Sequence, residues 1–190
     1  DENIVQAIPN EKANEWMKKN IPLFDCPQDN FVEMFYYRWW TLRKHIKATP
    51  LGYVMTEFLV NRTYADKYNM ISCALGPHIY ESRWLHDPQY LDQYIHAWYR
   101  GNDGKPMTKL RNYSSWTADA LYNRFLVNND KNFLLDMLPD LTQEYILNTA
   151  LQRTKIYPWY YDINRSEFTL DNRYFEHLGI SAGENNRSEE

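Results

Sequence analysis

Apolar residues recur at helical spacing over most of the chain. Val32, Phe35, Tyr36, Trp39, Leu42, Arg43 and Ile46 follow a three-to-four-residue period that is apolar except at Arg43. Asn30 and Glu33, after Pro27, form a capping box that would open this helix. Thr49-Pro50 would close it, because the residue before proline avoids the helical region. Leu51 to Asp66 reads as an extended excursion, a short hairpin in one reading, with Val54, Thr56 and Phe58 alternating. A second helix is predicted from about Asn69 to His86, where Pro77 forces a kink or a late start. Asp87-Pro88 opens a third, an N-cap followed by proline at the first helical position, with Leu91, Tyr94, Ile95 and Trp98 as its apolar stripe.

Gly101 to Lys105 is a loop, and Ser114 or Ser115 can cap a fourth helix carrying Leu121, Tyr122, Phe125 and Leu126 on one face. Asn128-Asn129-Asp130 punctuates. Phe133, Leu134, Met137 and Leu138 begin a fifth helix, which Leu141, Tyr145 and Ile146 continue or restart past Pro139. Beyond Thr154 the period fails. Tyr157 to Tyr161 reads as a loop or strand, residues 163–190 as an irregular tail, and the polar end from Gly179 as disordered. With neither a βαβ rhythm nor a Gly-rich phosphate loop, the pattern predicts an all-α domain of antiparallel helical hairpins over residues 1–162.

Composition changes this picture in one respect. The 7 Trp and 16 Tyr put an excess of rings with a polar edge into the chain, which suits half-wet clefts as well as cores. The net charge of −4 is spread without a basic block, which argues against a nucleic-acid partner, and no apolar run is long enough to span a bilayer. Cys26 and Cys73 could bridge but do not make a disulfide framework, and His78, His86 and His96 lack the spacing of a helical metal pair. Sequons at Asn61, Asn112, Asn164 and Asn186 matter only in a eukaryotic secretory route.

Four clusters carry candidate chemistry. Within Phe35 to Trp40, Tyr36, Trp39 and Trp40 share a face that is either core or cleft, and Arg38 either serves a site or bridges to a neighbouring helix. His78 and Glu81, three apart, can meet on one helical face beside Tyr80, Arg83 and Trp84, as an exposed ion pair or as part of a site; the Gly76-Pro77 step upstream would let backbone approach a ligand. Glu57 either projects into a cleft or is an exposed loop acid. Trp116 is a possible sugar platform at a helix start, and Asp119 either binds substrate or complements the positive helix end. Trp159 to Asp162, with Glu167, places acids on an aromatic loop, as glycosidase carboxylates require. Rings for a sugar's C–H face beside charged groups for its hydroxyls suit a polyhydroxylated ligand.

Taken in order, Tyr36 to Trp40, Ile71-Ser72-Cys73 through Trp84, Tyr113 through Ala120, and Asp130 through Leu141 resemble the first half of an (α/α)6-toroid glycoside hydrolase of the mannosylglycerate-hydrolase-like and trehalase-like kind, from Ile21 to Asp162. The resemblance implies a secreted or periplasmic inverting exo-glycosidase without a cofactor, acting on an oligosaccharide or glycoside, with its cleft at one end of the barrel. It places Glu57, His78, Glu81, Trp84, Trp116 and Asp119 on the substrate side, and Asp162 or Glu167 where such enzymes carry a catalytic acid. The Gly-Met motif that accompanies that acid is missing, and five or six helices are half of a toroid. The chain is then a fragment completed by a C-terminal half, one part of a split enzyme with a second chain, or a non-catalytic carbohydrate-binding or protein-interaction module. A structural domain of an oligomer is a further alternative.

Overall fold

A computed structural model of the protein describes residues 6–113, 115–153, 159–162 and 167–170. The chain divides into two compact units, Asp1–Leu134 and Leu135–Glu190. Six α-helices dominate: α1 (Ala13–Asn20), α2 (Asp29–Lys44), α3 (Leu75–Ser82), α4 (Gln89–Arg100), α5 (Thr117–Asn128) and α6 (Lys131–Arg153). Four short strands join them, β1 (Ile46–Thr49) pairing antiparallel with β2 (Gly52–Met55), and β3 (Trp159–Asp162) with β4 (Glu167–Leu170). The helical class is as the periodicity predicts, with two small hairpins added.

In the first unit the core is built on α4. Leu91, Tyr94, Ile95 and Trp98 are all buried, as their stripe predicts, and Leu75 and Ile79 of α3 and Ile46, Val54 and Met55 of the β1–β2 hairpin are buried with them. Burial of each such side chain contributes about 1.5–3 kcal/mol. Asp87 caps α4 as expected: its Oδ1 accepts from Gln89 N at 3.1 Å, and Pro88 already has helical dihedrals. Asn129, left-handed at φ 53°, ends α5 where the Asn-Asn-Asp punctuation lies.

Several expectations are corrected. Helix α2 opens at Asp29 after Gln28 with no side-chain cap, so Asn30 and Glu33 form no capping box. It ends at Lys44 rather than Thr49, because residues 46–49 pair with 52–55 across a two-residue turn at Pro50-Leu51. Helix α3 starts at Leu75 and stops at Ser82. The late start puts Pro77 in the first turn, where a missing N–H forfeits no intrahelical bond. Helix α5 begins after Trp116 without a side-chain cap, and Ser115 bonds Thr117 Oγ1 instead; Ser114 lies outside the described residues. Its buried face is Thr117, Ala120, Leu121 and Arg124, while Tyr122 and Leu126 are exposed. Cys26 and Cys73 are free.

The turn of the first hairpin is locked by α4. Gly52 has φ +95°, and a Cβ there would lie 2.5 Å from Gln93 Oε1, the atom that accepts from Tyr53 N at 2.7 Å. Gly52→Ala is therefore expected to cost roughly 1–3 kcal/mol, from left-handed strain and loss of the Gln93 bond. Urea unfolding of G52A beside Q93A measures it; an unchanged midpoint for both would contradict this view of the hairpin.

The second unit contains α6 from Leu135, which runs through Pro139 without restarting, and the β3–β4 hairpin. Leu135, Leu138, Tyr145 and Ile146 are exposed along this helix. The aromatic run is strand from Trp159; of the irregular tail expected at 163–190, Glu167–Leu170 is strand β4, and residues 163–166 and 171–190 lie outside the described residues.

Candidate active site

Helix α3 organises the candidate residues because it is short, central and polar on several sides. Helix α2 supplies a partner to Glu81, α5 one to Tyr80, and α4 and the loop after β2 one each to His78. At roughly 100° per residue, His78 and Tyr80 point about 160° apart around its axis.

The innermost group is a carboxylate–imidazole–phenol chain. His78 Nε2 lies 2.8 Å from Glu57 Oε1, and its Nδ1 lies 3.0 Å from Tyr94 Oη. The His78 side chain is 13% exposed, that of Glu57 48%, and Tyr94 is fully buried, so the chain runs from solvent into the core. The hydrogen bond from His78, aided by the charges of His78 and His45, holds the Glu57 carboxyl below the usual glutamate range despite partial burial. Nε2 donates to the ionised Glu57, and in the neutral form of the ring Nδ1 accepts the Tyr94 hydroxyl hydrogen. Burial pushes the Tyr94 phenol far up, keeping it a donor. Burial, then the Glu57 charge, raises the neighbouring Cys73 thiol, which therefore stays protonated. The second imidazole, His45, is anchored by Nδ1 to Thr56 O at 2.7 Å.

A prediction follows for acid stability. The folded-state pKa of Glu57 lies below its unfolded value, so the unfolded chain binds the extra proton. The Glu57–His78 contribution is thus present above the ordinary glutamate range and lost as pH falls through and below it. The stability difference between the native protein and Glu57→Gln should shrink steadily across that window. Thermal denaturation at a series of pH values checks it; a pH-independent difference would contradict it.

On the opposite side of α3, the Trp116 indole packs against Gly76 so closely that an added Cβ would lie 2.9 Å from its Nε1. The close approach expected at Gly76-Pro77 is thus real, but the group that approaches is Trp116. This ring stays 39% exposed at the N-terminus of α5. Trp116 and the Glu57–His78 pair therefore flank the N-terminal half of α3 from two different sides.

The other residues fall further along the helix. Tyr80 Oη donates a short hydrogen bond to Asp119 Oδ2, and Asn123 Nδ2 donates to Asp119 O at 2.9 Å. Burial first, then the Asp119 bond, raises the Tyr80 phenol. Glu81 does not meet His78: its Oε2 accepts from Arg38 Nη2 of α2 at 2.6 Å. That is the helix-to-helix bridge weighed for Arg38, and at this exposure it is worth about 0–1 kcal/mol. Trp84 lies past the end of α3, exposed, with the Arg83 guanidinium 5.2 Å from its ring centre. Tyr37 stacks on Trp40 at 6.1 Å, so Tyr37 joins the side on which Trp40 lies.

Asp162 and Glu167 are Cα partners across β3–β4; their side chains lie outside the described residues. The periodic pattern missed Tyr94 and His45 as polar partners. Tyr94 was hidden inside an apolar stripe, and only its hydroxyl could have signalled a role. Among the described residues no group of three or more His, Cys, Asp or Glu side chains could hold a metal ion, and no helix is long and apolar enough to cross a membrane.

Comparison with known proteins adds two findings. The family model described as the mannosylglycerate hydrolase MGH1-like glycoside hydrolase domain matches residues 67–154, a stretch that contains α3, α4 and α5. A solved structure titled "Sialidase" is similar over 76% of this chain, with 70% sequence identity and a TM-score of 0.74. The chain spans 13% of the length of that protein.

Proposed function

We propose, for a chain whose residues 67–154 match the MGH1-like glycoside hydrolase domain, that it is the N-terminal part of a helical-toroid enzyme hydrolysing a glycan. The likeness to a much longer protein supports reading it as a part. In this proposal the N-terminal end of α3 binds the saccharide. The observation that carries it is the ionised, half-exposed Glu57 held by the partly exposed His78 and the buried Tyr94, with the exposed Trp116 ring on the other flank of the same half of the helix. Glu57 would accept hydrogen bonds from sugar hydroxyls, and Trp116 would cover a C–H face. His78 and Tyr94 orient Glu57 and keep it charged. Glu81, Trp84 and Asp119 remain substrate-side candidates for more distant sugar units. Asp162 and Glu167 are proposed as the catalytic carboxylates of an inverting reaction, one protonating the leaving oxygen and one activating water. A secreted or periplasmic setting fits such a substrate.

Titration of a panel of neutral oligosaccharides followed by tryptophan fluorescence tests the binding half. Trp116→Ala is expected to weaken the best ligand at least about ten-fold, equivalent to about 1.4 kcal/mol. His78→Phe, which keeps the ring and removes both of its hydrogen bonds, should weaken it several-fold. Binding that is unaltered in both variants would contradict the assignment. Silence towards every glycan would favour the protein-interaction module instead.

A further inference from the structure

A second hollow of about 890 Å³ lies in the first unit, lined by β1 and by the loop between β2 and α3; neither Glu57 nor His78 lines it. Its lining includes Lys47, Arg62, Asn61, Thr63, Asp66 and Tyr68. Three observations set it apart from an ordinary surface dent.

The first is charge. Lys47 is half-buried, and among the described residues no carboxylate lies within ion-pair distance of Lys47 or Arg62. Burial alone lowers the Lys47 ammonium, the signature of a cation lacking a counter-ion. Arg62 instead lies over the Phe58 ring, 5.8 Å from its centre. The single acid among the described lining residues is Asp66, which backbone amides hold. Asp66 Oδ1 accepts from Lys67 N at 2.7 Å, and its Oδ2 from Lys109 N at 2.6 Å. Lys47 and Arg62 against Asp66 leave the described lining with a net positive charge, on a chain of net charge −4.

The second is a wall held in place at a cost. Tyr68 and Asn69 are consecutive non-glycine residues at φ 59° and 67°, each costing of order 1 kcal/mol or more. Buried Asn69 pins the wall: its side chain donates to Phe58 O at 2.8 Å and Val60 O at 3.0 Å, and accepts from Arg62 N at 2.8 Å. This network fixes the backbone of Arg62 beside Tyr68, whose ring carries the Lys67 ammonium 5.3 Å from its centre.

The third is the remaining chemistry. An amide (Asn61), a hydroxyl (Thr63) and an aromatic ring (Tyr68) border a space far larger than a bare ion needs. Such a border suits a ligand with hydroxyl groups and a C–H face.

We propose that this hollow binds a charged saccharide, a sugar bearing a carboxylate or a sulfate, with Lys47 and Arg62 on the anionic group and Tyr68 against the ring. It is separate from the saccharide contact at α3 and does not rest on it. An anionic sugar supplies the counter-charge that the protein withholds and gains the hydroxyl contacts that a simple anion cannot make.

The test is calorimetric titration of the full chain with a galacturonic acid disaccharide, its methyl ester, a sulfated galactose and inorganic sulfate. At least one charged sugar should bind. It should bind at least ten-fold more tightly than the neutral ester and than inorganic sulfate, and added salt should weaken it. Lys47→Met and Arg62→Met should each lower its affinity at least ten-fold, with circular dichroism reporting an intact fold. An excess of the neutral oligosaccharide that binds at α3 should leave it unchanged, which separates this site from the α3 contact. Failure of both charged sugars to bind, equal binding of the ester, or an unaltered affinity in folded Lys47→Met would overturn the proposal. Equal affinity for inorganic sulfate would overturn its saccharide part.

Discussion

Replacing Arg124 by methionine is expected to destabilise the protein by about 3–5 kcal/mol at pH 7. Arg124 is 1% exposed on α5, the helix face that periodicity alone would call polar. Its Nη2 lies 2.5 Å from Asp92 Oδ1 of α4 and 3.6 Å from Asp130 Oδ2, and its guanidinium stacks 4.0 Å from the Phe133 ring centre. One cation thus joins α4, the start of α6 and the turn between α5 and α6. Burial already raises the Asp92 carboxyl above the usual range, against the pull of Arg124. Without Arg124 the carboxylate keeps its burial cost and loses its partner. In the variant, protonation of Asp92 relieves that cost, so R124M should lose less stability near pH 5 than at pH 7. Adding Asp92→Asn to R124M should recover part of the loss at pH 7. Chemical denaturation of the single and double variants at both pH values measures this, and a loss under 1 kcal/mol would show that the network contributes little.

The largest effect on activity is expected in the second unit. Glycoside hydrolysis needs two carboxyl groups, one giving a proton to the leaving oxygen and one activating water or attacking. On the proposed assignment, Asp162→Asn and Glu167→Gln should each lower turnover roughly 100- to 10,000-fold. The two roles leave different signatures. Loss of the acid is masked on a substrate whose leaving group departs without a proton, such as a dinitrophenyl glycoside, whereas loss of the base of an inverting enzyme is not. Added azide restores turnover only in the latter. If neither variant slows hydrolysis of any glycoside that the protein cleaves, both residues leave the mechanism.

Legibility in the sequence divides by the distance over which each signal acts. Leu91, Tyr94, Ile95 and Trp98 repeat within one helix, and Asp87-Pro88 sets its start, so α4 could be read directly. The end of α2 could not. Pro50 marks the turn of a hairpin, and the strand before it belongs to β1 because residues 52–55 pair with it. On α5, Tyr122 and Leu126 are apolar yet exposed, while Arg124 is charged yet buried, since its partners come from α4 and from the turn that opens α6.

The site shows the same division. Spacing alone allows His78 and Glu81 to meet, but His78 takes Glu57 and Tyr94, and Glu81 takes Arg38. A hydrogen bond to a group far along the chain leaves no period behind. Glu57 was visible as a polar interruption of an apolar run, and the acids of residues 159–167 as an aromatic loop, now seen as a hairpin. Gly76 was legible as a point of close approach, whereas the identity of the approaching group depended on how α5 packs on α3.

The central claim is that a saccharide rests at the N-terminal end of α3. A crystal structure of the protein with the best oligosaccharide from the titration addresses it without intermediaries. The expected result is an oligosaccharide with one ring against the Trp116 indole and a hydroxyl of another unit within hydrogen-bonding reach of the Glu57 carboxylate. A bound sugar that touches neither residue would contradict it.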